Sequence, residues 1–368
     1  MAAVLCSVFL LLSANGATPA RSAVTESNRS EAQGTIRKSL KWTVIGGAEY
    51  VSASDVAADL GMKSIWLEPG RKLVLAGGAD TVQVERDRIE AVVNGLGVRL
   101  GNAPVFREGN LYVSQIDLEC SLFPRIRPAL VGVPPARPKI IALDAGHGGK
   151  DNGMQNTNLG LKEKTLTLDV VKRLKTLCVA AGFKVVLTRT GDNAPINEDL
   201  PLRAKVVNAA HSDLLVSVHF NSLYPDTKTS GTESYVYTPR FQRSTGALSL
   251  GAGTDDARRE AVRVNRWDPW SALLADHIQR EVLTRLKTVD RGQKTGHLLV
   301  LQDVNCPAVL VESGFLSNDA EGRRAASPEF RQEIAAAIFS GILKYIAALD
   351  ELSTEQRRHG EDPEFFHR

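Results

Sequence analysis

Cysteine is scarce in this 368-residue chain: Cys6, Cys120, Cys178 and Cys306 are the only four, and no CxxC pair occurs. So few and so scattered, they exclude a disulfide scaffold and read as buried thiols. An excess of charge is also missing. Lys and Arg number 45 against 42 Asp and Glu, a net +3, far from the basic balance that binding along a phosphate backbone requires. No nucleic-acid partner is expected. No apolar run approaches the roughly 20 residues of a membrane span, so no stable span is expected either. Gly (30), Pro (16) and a 43% hydrophobic share are ordinary for a globular protein, and the length suggests two domains.

What is present begins with Ala2 to Leu12, apolar apart from Ser7, followed by the small residues Ala14-Asn15-Gly16-Ala17. This reads as a secretory signal over residues 1–20, although no Lys or Arg precedes the apolar run. Export to a periplasmic or extracellular location follows as an expectation. Residues 21–40 are polar and read as a flexible lead. From Trp42 onward come short alternating runs broken by turn signals, among them Leu73-Val74-Leu75, Thr81 to Val84, the Asn94-Gly95 turn, Val98 to Leu100 and Leu111-Tyr112-Val113. One helix interrupts them, capped by Ser52 or Ser54 and stopped by Gly61. A small α+β accessory domain over 41–127 follows.

Tyr50-Val51-Ser52 leading into Val56 to Gly61, Trp66, the Val93-Asn94-Gly95 turn and Leu111-Tyr112-Val113-Ser114 together give this stretch its character. On those features it resembles the copper amine oxidase N-terminal-like domain. No copper site is expected, because Trp42 to Ile126 contains no histidine.

Pro128, Pro134, Pro135 and Pro138 mark a semi-rigid linker over 128–138. Beyond it strands and helices alternate: strands at Lys139 to Leu143, Lys184 to Leu187, Leu214 to Val218, Thr232 to Tyr237, Leu298 to Leu301 and Ala308 to Val311, and helices at Glu163 to Ala181, Leu202 to Ala210, Ala272 to Leu286 and Glu329 to Leu349. The pattern predicts an α/β domain over 139–350 with a largely parallel sheet covered by helices on both faces, then a charged tail over 351–368.

Three apolar strands end in polar residues that packing alone would not select: Leu143 runs into Asp144-Ala145-Gly146-His147-Gly148-Gly149, Val218 into His219-Phe220-Asn221, and Val311 into Glu312-Ser313-Gly314. Ligands bind outside the carboxyl ends of strands in open α/β sheets, so His147, His219 and Glu312 can meet at one edge, and Glu163 opens the helix after the first strand. Two histidines and one carboxylate form a catalytic zinc set, and a second, unligated glutamate then serves as base. Spacing alone leaves open which of Glu163 and Glu312 is ligand and which is base.

The segment from about Lys139 to Ile346 resembles the zinc-dependent N-acetylmuramoyl-L-alanine amidases of the amidase type 3 family. The resemblance is carried by Asp144 to Gly149 with Asp151 and Gly153, Lys162-Glu163-Lys164, Leu187-Thr188-Arg189-Thr190, Leu202-Arg203, Ser217 to Asn221, Gly231-Thr232-Glu233, Arg291-Gly292 and Val309 to Asn318. It implies His147, Glu163 and His219 as ligands of one zinc ion and Glu312 as the catalytic glutamate. It also implies hydrolysis of the amide between N-acetylmuramic acid and L-alanine, with peptidoglycan as partner and the cell wall as location. The alternatives are a zinc hydrolase of another amide, such as soluble muropeptides, and a non-catalytic peptidoglycan binder. Ala145 and Asn152 depart from frequent prolines of the family. Arg189, Arg203 and Asn221 are expected to be structural, and His211, His277 and His297 are expected to take no part in metal binding.

Residues 239–268 separate a strand from a helix by more than the usual 4–6 residues. They carry Arg240, Arg243, Arg258, Arg259, Arg263 and Arg266 against four acidic residues. In relatives of the family an insertion here can restrain activity until an activator protein moves it. A plain groove-lining excursion is the other reading.

Overall fold

The computed structural model describes residues 40–192, 200–245 and 265–360. The expected signal, nearly all of the lead, and residues 246–264 of the long segment lie outside the described residues.

The accessory region opens with β1 (Thr43–Ile45) and β2 (Ala48–Ser52), which pair with β9 (Asn110–Ser114) and β8 (Val105–Arg107) in a four-stranded sheet of order β1-β2-β9-β8. Helix α1 (Ala53–Asp59) starts where the Ser52 side chain accepts from the Asp55 amide, and Gly61 at φ +65° ends it. An antiparallel meander follows: β3 (Lys63–Glu68), β4 (Lys72–Gly77), β5 (Asp80–Glu85), β6 (Glu90–Val93) and β7 (Leu96–Arg99). Its inward positions alternate, with Leu73, Leu75, Val82, Val84, Ala91, Val93, Leu96 and Val98 all buried. Asn94 and Gly95 both take positive φ in the β6–β7 hairpin, as a type I′ turn requires. Strands β3 and β8 carry no clear alternating apolar signal and are absent from the sequence reading.

The second region is built on β10 (Ile140–Ala145), β13 (Lys184–Leu187), β14 (Leu214–Asn221), β15 (Thr232–Tyr237), β16 (Asp290–Gly296) and β17 (Ala308–Phe315), while β11 (Gln155–Asn156) and β12 (Leu161–Lys162) form a separate hairpin. The sheet order is β13-β10-β14-β17-β15-β16. Its helices are α2 (Glu163–Ala180), α3 (Leu200–Ala209), α4 (Asp268–Leu286), α5 (Asp319–Ala326) and α6 (Pro328–Gly360). Period-two alternation sorts the side chains. Ile141, Leu143, Leu214, Val216, Val309 and Val311 share one core with α2, α4 and α6. Ala142, Leu215 and Leu310 share the other with Ala204 and Val207 of α3 and with Val300, Leu301 and Val304. Leu298–Leu301 is therefore a covering turn and not the expected strand, and Asp290–Gly296 supplies the strand in its place.

The expected largely parallel sheet is corrected to a mixed one. β13, β10, β14 and β17 are parallel, but β15 runs antiparallel to β17. The reason is the connection: parallel return needs a crossover, usually a helix, and residues 222–231 hold no helix. The chain therefore re-enters the sheet from the edge at which β14 left it. Nor are the two regions separate. Val98 of β7 pairs with Gln293 of β16, so the meander and the α/β strands form one eleven-stranded sheet.

Among the described residues α6 is the one helix long and apolar enough to cross a membrane. Its buried face, Ile334, Ile338, Ile342 and Tyr345, packs in the core against α2 and α4. It runs to Gly360, through the first ten residues of the expected tail.

Candidate active site

The strand directions create one chemically loaded edge. β10, β14 and β17 end there, and β15 and β16 begin there. His147 lies two residues past β10 in the left-handed region, at φ +61°. The backbone that carries it is held by two buried arginines. Arg203 donates to the His147 carbonyl at 2.7 Å and to Asp144 at 3.0 Å; Arg189 donates to the carbonyls of Ala145, Gly146 and Lys164. Asp144, fully buried, also accepts from Ser217 at 2.6 Å and from Thr188. These contacts give Arg189 and Arg203 the structural work the sequence suggested, fixing a loop in a conformation that β10 alone would not impose.

Glu163, the first residue of α2, is buried and faces both imidazoles. Its Oε1 lies 3.0 Å from His147 Nε2 and 3.0 Å from His219 Nδ1, and the ligand atoms of the three residues all lie within 4.8 Å of one another. Amides of Phe220 and Met154 donate to the two Glu163 oxygens at 3.0 and 2.9 Å. Asp151 Oδ2 meets His147 Nδ1 at 2.7 Å, leaving Nε2 turned inward. Glycine is required beside this group: a Cβ on Gly146 would stand 2.2 Å from the His219 ring, and one on Gly153 would stand 2.5 Å from Glu163 Oε2.

The charges are mutually tuned. Burial works to raise the Glu163 pKa, but hydrogen bonds and charge from His147 and His219 outweigh it and lower it to about 2. Burial works to lower that of His147, but Glu163 and then Asp151 raise it to about 8. Glu312 stands beside His219 in the β14–β17 register. Burial first, then the charges of Glu163 and Glu233, hold its carboxyl well above the usual range, with Lys294 opposing. Its Oε2 is buried without a hydrogen-bond partner.

The profile of the N-acetylmuramoyl-L-alanine amidase family matches residues 141–344, more than half of the chain. The chain belongs to that family. A second profile, the copper amine oxidase N-terminal domain, matches residues 36–119 of the chain. Among known relatives, an uncharacterized cell wall amidase of Bacillus anthracis is 33% identical over 211 residues, covering 56% of this chain and 35% of its own length. A germination-specific N-acetylmuramoyl-L-alanine amidase of Bacillus subtilis is 32% identical over 223 residues, covering 57% and 81%. The chain thus spans about a third of the first relative and most of the second. A solved structure of the CwlD amidase from Clostridioides difficile, in complex with the GerS lipoprotein, is 28% identical, covers 57% of this chain and 99% of that one, and superposes with a TM-score of 0.47.

The donor set suits a divalent ion. Two imidazoles and one carboxylate converge, His147 oriented by Asp151 and Glu163 by two backbone amides, and the neighbouring buried Glu312 oxygen is orphaned. Asn221, two residues beyond His219 on β14, donates to Glu233 at 2.6 Å. His211 and His277 lie on α3's exit and within α4, and His297 stacks edge-on with Tyr237 beyond the end of β16; none belongs to the converging set. Sequence reasoning missed a second buried cluster: Glu233 accepts from Tyr235 Oη at 2.7 Å and pairs with Lys294, and Arg291 Nε lies 3.4 Å away. The signal was available in Glu233 and Tyr235, two residues apart on one face of a buried strand. Lys294 was hidden because Asp290–Gly296, with two glycines and three charges, does not read as a strand.

Proposed function

We propose that this chain is a zinc amidase that hydrolyses the amide between N-acetylmuramic acid and L-alanine in peptidoglycan, with Glu312 as its catalytic base. The observation that carries the proposal is the convergence of His147, Glu163 and His219 beside a buried glutamate whose Oε2 has no partner. His147, Glu163 and His219 would hold the ion. Zinc bound there supplies Lewis acidity, lowering the pKa of water and polarising a carbonyl. Glu312 takes the proton of the attacking water at Oε2 and delivers it to the alanine nitrogen as the C–N bond breaks. Its raised proton affinity suits it to both roles, since a base poised nearer neutrality accepts and releases a proton readily. Asp151 holds the His147 ring, and Lys294 and Asn221 neutralise and fix Glu233 opposite the base.

Cell-wall location implies export, in keeping with the signal-like residues 1–20 and with the cell wall named for the Bacillus anthracis relative. Residues 239–268 stand as the candidate segment for control by an activator protein. Its described flanks leave from the sheet edge opposite His147: Thr238 bonds Gly296 at the end of β16, and Ser271 bonds Ala308 at the start of β17.

Digestion of purified peptidoglycan followed by mass spectrometry tests the reaction. New lactyl carboxylates paired with free alanine amines are the expected products; glycan or peptide cuts elsewhere would refute it.

A further inference from the structure

We infer that Arg291 binds a carboxylate of the peptide stem and sets a preference for stems that carry it free; the inference rests on the amidase reading and deepens it. Arg291 sits at the start of β16, on the same loaded edge as Glu312, with β15 between the two strands. Its guanidinium is stacked over the ring of Phe315, the last residue of the strand that carries Glu312, at 5.0 Å. Gly231 makes room for it, since a Cβ there would stand 2.9 Å from Arg291 Cγ.

The local acid does not use this arginine fully. Glu233 already receives Lys294, Asn221 and Tyr235. Arg291 Nε lies within 3.4 Å of Glu233 Oε2 yet makes no hydrogen bond, and its side chain keeps 29% of its exposure. Positioned by a ring and an acid, with its Nε unpartnered and its side chain partly exposed, it is prepared for a further carboxylate.

Spacing agrees with the substrate. Neighbouring strands lie about 4.8 Å apart, so β16 stands about 10 Å from β17, and the arginine side chain leans back toward Glu233 across part of that gap. In the stem, alanine is followed by a glutamate joined through its side chain. Its α-carboxylate, free or amidated, lies about two residue lengths, roughly 7 Å, from the scissile carbonyl. Amidation removes the negative charge that a guanidinium fork recognises.

The test uses the full zinc-loaded chain and two probes, N-acetylmuramoyl-L-alanyl-D-glutamate and the same molecule with the α-carboxylate amidated. The wild-type enzyme is expected to favour the free acid by about 10- to 100-fold in kcat/KM, mostly through KM, as a charge-assisted bidentate contact allows. Arg291→Gln should erase that preference while leaving zinc content unchanged, and Arg291→Lys should keep a smaller one. Equal use of both probes by the wild type, or a preference that survives Arg291→Gln, overturns the inference while leaving the amidase reading intact. Failure to cut either probe or intact peptidoglycan overturns the amidase reading itself.

Discussion

The two ends of the eleven-stranded sheet share hydrogen bonding and differ in chemistry. At one end, β3 to β7 form an antiparallel meander whose region lacks histidine altogether; at the other, β10, β14 and β17 run parallel and place His147, His219 and Glu312 at their exits. Direction explains the contrast. Parallel strands deliver every carboxyl end to one edge, where loops converge, whereas a meander sends alternate ends to opposite edges and joins them by tight turns with no room for a site. The reversal of β15 adds to the loaded edge, because it brings Glu233 opposite Glu312.

The largest effects should fall at the parallel end. Glu312→Gln is expected to cut turnover by about 10³-fold or more while metal content, read by atomic emission, stays at the wild-type value. His219→Ala should lose both. If Glu312→Gln works at the wild-type rate, the parallel end does not carry the chemistry as described. Removing the Arg203 charge by Arg203→Met strands the buried Asp144 and should cost about 3–5 kcal/mol in denaturant unfolding.

The join between the two ends comes next. Gly97 and Gly292 bring their backbones close enough that a Cβ on Gly97 would stand 3.3 Å from Gly292 Cα, and Arg280 donates to the Asn94 carbonyl at 2.8 Å. Arg99 and Gln242 add bonds between β7 and Thr245, and between residue 242 and the buried Asp117. Gly97→Val is therefore expected to cost about 1–3 kcal/mol, lowering the melting temperature of both regions in one transition. Two separate transitions would show that the regions fold independently.

A pH series sharpens the contrast further. Glu312 holds its proton above the usual carboxylate range, so kcat/KM should fall as pH drops through a value higher than 4.5, a limb that Glu312→Gln removes. In metal-free protein the His147 pKa is raised from 6.5 to about 8, so its ion pair with Glu163 stabilises fully below pH 6.5 and is lost as pH rises through 8. Zinc affinity should run the opposite way, weakening as His147 takes up its proton below pH 8. Calorimetry of the metal-free and loaded protein across pH 6–9 reads both. The smallest effect belongs to the meander surface: Arg71→Ala removes exposed pairs with Glu68 and Glu85 and should leave the melting temperature unchanged.

Local rules made much of this legible. Ser52 and Gly61 bound α1, Asn94-Gly95 turns a hairpin, and apolar strands running into His147, His219 and Glu312 announced their exits. The β16 strand escaped because its sequence, Asp290 to Gly296, is held in place by neighbours on both sides and not by its own propensity. The Glu233, Lys294 and Arg291 group escaped with it. Spacing likewise left Glu163 and Glu312 interchangeable. In the fold Glu163 touches both imidazoles while the Glu312 oxygen stands unpartnered, a distinction of distance that no sequence interval encodes.

By itself the sequence determined the α/β alternation, the accessory region and the four residues on which the proposed chemistry rests, because periodicity, capping and strand-end polarity are local properties of the chain. Only the tertiary structure decided the reversed β15, the fusion of two regions through Val98 and Gln293, and the buried acid–lysine–arginine cluster beside the base. Those features depend on which strand lies next to which, and pairing between residues up to about two hundred positions apart is set by the shared core and by loop paths rather than by any neighbouring residue.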